Sequence, residues 1–252
     1  MATAMGPLDA AHKDRLDSFG KTYLASDPAQ RVDYMVGSEI RDRVLRWVRG
    51  PEILEMGAGD GRWTVEMIQR FGRTSVIDGS RKLLQNLKDT HGDRVACHES
   101  FFEDFLPPGD VRFNTVIATH VLEHVHDPIA VLKRSRQWLA AGGRIIAVVP
   151  NATSLHRRIG VKMGQLKTIY DFSERDVALG HQRIYDMETL KSHAREGGYK
   201  IVHTQGFQLK ILPFSMMAAF PESLFKALFE LGDELPPEMT SDIGVVLEAD
   251  SA

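Results

Sequence analysis

A single cysteine, Cys97, stands in 252 residues. One thiol excludes an intrachain disulfide and any multi-cysteine zinc or iron–sulfur site, and it suits a reducing compartment. Its simplest reading is a small buried hydrophobe. No apolar run approaches the ~18 residues that span a bilayer, and Met1 to Ala11 lack the basic and apolar regions of a signal peptide. A soluble, cytoplasmic protein without a membrane partner is the expectation. Excess positive charge is missing too: 31 Lys and Arg face 34 Asp and Glu, a net charge of −3. That balance supplies no global field for a nucleic acid backbone, so nucleic acid is not an expected partner.

What is present is an ordinary globular composition, 43% hydrophobic and 26% charged, large enough for a real core. Short β-rich runs alternate with helical patterns, which predicts a parallel sheet. Val32, Val36, Ile40, Val44 and Val48 recur every four positions and predict a helix. Residues 1–50 are read as an N-terminal helical cap or lid, and 51–252 as the main domain. Strands are expected at Glu52 to Met56, Thr74 to Asp78, Arg94 to Glu99, Asn114 to Thr119 and Arg144 to Val149. Helices are expected from Arg62 to Phe71, closed by Gly72, and from a Ser80 cap to about Thr90. Another starts at Asp127-Pro128 and stops at Gly142-Gly143. Asn151 to Tyr185 reads as a long insertion, and such insertions are often functional. A helix from about Asp186 to Glu196, a strand from Tyr199 to Thr204, a helical stretch from Phe220 to Leu231 and a strand from Ile243 to Glu248 complete the chain. An antiparallel last strand would give a seven-stranded, mostly parallel, doubly wound α/β sheet of Rossmann-like type.

The strongest motif is Glu55-Met56-Gly57-Ala58-Gly59-Asp60-Gly61, where an apolar strand runs into a glycine-rich turn that opens a helix. Glycines let a ligand approach bare backbone, and the helix start offers N–H groups to an anion. Asp78, seventeen residues beyond Gly61, ends the second strand, where a carboxylate can accept the two hydroxyls of a ribose. The dinucleotide pattern G-x-G-x-x-G would need glycine at position 62, which is Arg62. A small anionic group such as an amino-acid carboxylate therefore fits better than a pyrophosphate. Glu55 would repel pyrophosphate yet suit an ammonium or sulfonium.

These segments, with Val121-Leu122-Glu123-His124-Val125, Leu139-Ala140-Ala141-Gly142-Gly143 and Val149-Pro150-Asn151, resemble the class I S-adenosylmethionine-dependent methyltransferases. Within them the chain is most similar to the small-molecule branch that includes ubiquinone-pathway O-methyltransferases, over roughly residues 40 to 206. The resemblance implies S-adenosyl-L-methionine as cofactor and S-adenosyl-L-homocysteine as product. It assigns the methionine part to Glu55, Gly57, Ala58, Gly59 and Gly61, and the ribose to Asp78 with Gly79 and Ser80. Phe101 and Phe102 would sandwich the adenine, while Thr119 and His120 would line the pocket beside the methyl. The family often has an acidic residue beside the adenine amine, where Ser100-Phe101-Phe102 stands here. Its common Phe-Asp before the fourth strand is Phe113-Asn114.

His120-Val121-Leu122-Glu123-His124 also matches H-x-x-E-H, which on a helix would set two imidazoles one turn apart for zinc, with a glutamate as general base. A zinc hydrolase is thus the competing enzyme reading, although His120 falls at the mouth of a predicted strand. A catalytically inactive, cofactor-binding regulatory protein is the non-enzyme alternative. For metal-free methyl transfer to an O, N or C atom of a small-molecule acceptor, in specialised-metabolite or quinone-type biosynthesis, the protein aligns two reactants and removes a proton. Ligands in this fold sit beyond the carboxyl ends of the strands, which points to the insertion. His181 is the favoured base, with Tyr185 and His156 as positioning groups. Arg157, Arg158, Lys162 and Lys167 read either as a site for an anionic substrate group or as a solvated face. Tyr23 would reach the pocket if the N-terminal helix is a lid. Leu212 to Met217 could line an acceptor site or a subunit contact. The oligomeric state stays open, a homodimer included.

Overall fold

The computed structural model describes residues 30–250; Tyr23 lies outside them. Seven strands form one sheet: β1 (Ile53–Met56), β2 (Thr74–Asp78), β3 (Val95–Glu99), β4 (Phe113–Thr119), β5 (Leu139–Pro150), β6 (Tyr199–Phe207) and β7 (Asp242–Ala249). Their spatial order is β3-β2-β1-β4-β5-β7-β6. The first five strands pair in parallel, and β7 runs antiparallel to both β5 and β6. The strand order reverses between β1 and β4, and a crevice opens at the carboxyl ends of strands at such a reversal. Because β7 is antiparallel, its first residue, Asp242, pairs with Pro150 and Phe207 at that same end.

Helices cover both faces. These are α1 (Gln30–Leu45), α2 (Arg62–Phe71), α3 (Arg81–His91), α4 (Pro128–Ser135), α5 (Leu155–Lys162), α6 (Glu174–Leu179), α7 (Met187–Glu196), α8 (Phe214–Met217) and α9 (Glu222–Glu234). One core joins Leu54, Val116, Ile145 and Val245 of the sheet to Val131 and Leu132 of α4 and Leu190 and Ala194 of α7. Another joins Ile146, Val148 and Val246 to Val36, Ile40 and Val44 of α1 and Phe225 and Phe229 of α9. Val36, Ile40 and Val44 of the α1 stripe therefore pack against the sheet. Cys97, half-buried, packs against the apolar group around α3.

Local chemistry explains the boundaries. Ser80 caps α3 by accepting from Leu83 N, and Asp127 caps α4 by accepting from Ala130 N, satisfying amides that a helix start leaves without partners. The expected helix stop at Gly142-Gly143 is wrong. α4 ends at Ser135, and a 3₁₀ turn over Arg136–Trp138 buries Trp138 completely. The chain is already in β5 at the two glycines, where the β4–β5 register is irregular between Phe113 and Thr115. A Cβ on Gly143 would stand 2.7 Å from Phe113 O, so only glycine permits that close approach. The insertion contains α5 and α6. α6 opens on a capping box between Ser173 and Asp176, a local pattern visible in Ser173-Glu174-Arg175-Asp176. The helix expected over Phe220 to Leu231 is α9, preceded by the short α8.

Candidate active site

The turn after β1 has positive φ at all three motif glycines: 81° at Gly57, 49° at Gly59 and 80° at Gly61. Such angles are costly for residues with a Cβ. Gly57 N donates to Ile77 O at 2.8 Å, which holds the turn against β2. A Cβ on Gly59 would meet nothing within 4 Å, so the bare backbone there faces open space.

Asp78 binds the two neighbouring turns together. Its Oδ2 accepts from Ala58 N and its Oδ1 from Ser80 N, each at 2.7 Å. Ser80 itself is buried in its capping role. Ser100 N donates to the main-chain carbonyl of Asp78 at 3.1 Å, so the segment carrying Phe101 and Phe102 starts beside the end of β2. Phe102 packs against the main core. Glu103 follows immediately. Burial raises its pKa. It supplies a carboxyl one residue after Phe102, where none was expected.

Glu55 differs from its expected role. It is buried beneath the turn, and its Oε2 accepts from Thr64 Oγ1 of α2 at 2.5 Å. Burial pushes its pKa well up, against the Thr64 hydrogen bond. A carboxyl placed so braces the turn against α2, and it is not an open counter-charge.

Thr119 ends β4, and His120 follows with φ of 54°, its N donating to Val148 O at 2.8 Å. The His120 side chain is 40% exposed; Nδ1 lies 3.4 Å from Glu123 Oε1 and Nε2 lies 3.8 Å from Asp242 Oδ1. Asp242 is buried, and burial raises its pKa. Nothing in the sequence marks it, because its place depends on β7 inserting antiparallel next to β5.

The three expected catalytic residues lie in different surroundings. Tyr185 is fully buried in the main core, with its hydroxyl 3.0 Å from His193 Nδ1; burial drives its pKa up. It packs among the core residues. His156 is lowered to about 2 by burial, with Lys210 and Arg157 adding to the effect, so it stays neutral. The His181 side chain is only 6% exposed, and its Nδ1 lies 3.0 Å from Asp176 Oδ1. That leaves it poorly placed to take a proton from an entering acceptor. Arg157, read as part of a basic surface, is buried and binds Ile169 O, Asp171 O and Asp176. It holds the insertion together. Burial opposes ionisation of Asp176, yet hydrogen bonds from His181 and Ser173 hold its carboxyl well below the usual range.

The H-x-x-E-H run is not helical. Val121 to Asp127 forms turns, and α4 begins only at Pro128, so the helix that the zinc-hydrolase reading needs is missing. Tertiary structure instead brings His181 to this turn. Glu123, His124 and His181 each offer a ligand atom, all within 4.8 Å of one another. Among the described residues no helix is long and apolar enough to cross a membrane.

A family profile described as "Methyltransferase domain" matches residues 24–204, more than half of the chain. The chain belongs to the methyltransferase-domain family. This methyltransferase domain is 32% identical over 115 residues to the ubiquinone biosynthesis O-methyltransferase of Azorhizobium caulinodans, covering 44% of the chain and 45% of the relative. To the protein of the same description from Alkalilimnicola ehrlichii it is 28% identical over 120 residues, 46% of each. The matched part is thus less than half the length of these relatives. Among solved structures, an S-adenosylmethionine-dependent methyltransferase from Mesorhizobium loti aligns with a TM-score of 0.59 at 15% identity, covering 82% of this chain and 95% of that one. The Burkholderia thailandensis 1,6-didemethyltoxoflavin-N1-methyltransferase, solved with its substrate and S-adenosylhomocysteine, aligns at 0.57 and 15% identity, covering 100% and 93%. At such identities these neighbours show the methyltransferase domain's fold.

Proposed function

We propose that this chain transfers the methyl group of S-adenosylmethionine to a small-molecule acceptor, with oxygen favoured as the accepting atom and quinone-type or specialised-metabolite biosynthesis as the setting. The observation that carries the reading is Asp78, whose two oxygens hold Ala58 N and Ser80 N and so join a glycine turn to a ribose-height carboxylate. The donor residues fit that cofactor: backbone from Glu55 to Gly61 for the methionine part, Asp78 with Gly79 and Ser80 for the ribose, Phe101 and Phe102 for the adenine. The cofactor's sulfonium supplies an electrophilic methyl. The preference for oxygen draws on the relatives from Azorhizobium caulinodans and Alkalilimnicola ehrlichii, both named O-methyltransferases.

The chain's own part is alignment and proton removal. Thr119 and His120 border the acceptor side of the crevice. The base role passes from His181 to His120, the more open of the two rings at 40% against 6% exposure. Residues 151–185 cap the acceptor, and the reaction is assigned to the cytoplasm.

Calorimetric titration with S-adenosylhomocysteine tests the reading. The wild-type chain binds, and Asp78→Ala weakens binding at least tenfold, about 1.4 kcal/mol. A folded wild-type chain that binds none, or an Asp78→Ala variant that binds equally, overturns it.

A further inference from the structure

Glu123 poses a physical problem that methyl transfer does not solve. It is 1% exposed, and among the described residues neither carboxylate oxygen has a well-formed hydrogen bond. His120 Nδ1 stands 3.4 Å from one of them. A buried carboxylate left so is expensive unless positive charge reaches it.

The surroundings are those of a cation site. His124 and His181 pack edge to face with ring centres 4.7 Å apart, and both present ring nitrogens toward Glu123. Asp176 Oδ1 lies 3.0 Å from His181 Nδ1, near enough to serve as the outer carboxylate that accompanies a metal-bound histidine. Asp176 is itself fixed by Ser173 and Arg157. The two segments are joined directly: Gln182 N donates to Glu123 O at 2.7 Å.

We propose that Glu123, His124 and His181 bind a divalent transition-metal cation of the zinc or manganese class. Two imidazoles and one carboxylate favour such ions over calcium or magnesium. Bond lengths of about 2.0–2.2 Å require the ligand atoms to draw in by roughly 1 Å, which side-chain rotation supplies. Three protein ligands leave a further position open. His120 is not a ligand, since its ring lies between Glu123 and Asp242. Ion binding here is independent of the methyl-transfer reading. Only the use of the open position, to acidify an acceptor hydroxyl, rests on it.

The test uses the full chain with any affinity tag removed, stripped by chelator and titrated with Zn²⁺ and Mn²⁺ by calorimetry, with bound metal counted by mass spectrometry. One ion per chain is expected, weakened at least tenfold in Glu123→Gln and His181→Ala and unchanged in His126→Ala, an exposed neighbour. Circular-dichroism melting confirms that the variants are folded. If His181→Ala does not fold, the near-isosteric Glu123→Gln decides, together with the visible spectrum of the Co²⁺-loaded wild type, which should report mixed nitrogen and oxygen ligation. No stoichiometric ion in the wild type, or equal binding by folded variants, overturns the site. Titration with S-adenosylhomocysteine is read separately, so loss of ion binding and failure of the cofactor reading are distinguishable.

Discussion

Arg183 donates to the carbonyl of Leu122 at 2.9 Å across 61 residues of chain. The same guanidinium reaches Val125 O and His126 O, so one side chain satisfies three carbonyls of the turn that carries Glu123 and His124. Charged hydrogen bonds of this kind contribute about 1.5–3 kcal/mol each and are not additive. Arg183→Ala should lower unfolding free energy by about 2–3 kcal/mol in urea titration. Arg183→Lys should recover only part, because an ammonium lacks the planar fork. An unchanged midpoint for Arg183→Ala would show that the turn does not depend on this side chain.

Gly61→Ala probes the glycine turn. The added Cβ lies 2.8 Å from Leu87 Cδ2 at a φ of 80°; the leucine end can yield, but the backbone angle cannot. A left-handed conformation at a residue bearing a Cβ costs about 1–2 kcal/mol, visible as a lower denaturation midpoint with unchanged m-value.

Glu55 makes stability depend on pH. Burial raises its folded-state pKa above the ordinary value, so the folded chain holds this proton more tightly than the unfolded chain. Its contribution is fully present below the unfolded value of about 4.3. It declines as pH rises from there through the folded value. Glu55→Gln should flatten that decline in a series of melts above pH 4.3; a parallel curve for the two proteins would contradict the assignment.

Tyr185→Phe separates a core role from a catalytic one. Its hydroxyl meets His193 in the interior, so the variant should lose about 1 kcal/mol of stability and keep methyl transfer within twofold. A collapse of kcat with intact stability would return Tyr185 to the active site.

Much of this was written locally. Gly57, Gly59, Gly61 and Asp78 were legible because a glycine turn needs special backbone angles and a strand end needs a following cap, and both are short-range requirements. The bounds of α2 and β2 followed from Gly72 and from apolar patterning. Gly142-Gly143 misled because a glycine pair signals equally a helix stop and a strand irregularity, and only pairing with β4 selects the second.

The sequence by itself determined the alternating fold, the glycine turn, its acidic partner and the kinship they carry, since each rests on residues within one or two elements. Tertiary structure decided which histidines meet which carboxylates. Asp242 reaches the crevice because β7 enters antiparallel beside β5, and His181 meets Glu123 and His124 because Gln182 and Arg183 bind a distant turn. Such meetings are set by the burial of whole elements and by hydrogen bonds across long separations, which no local spacing records.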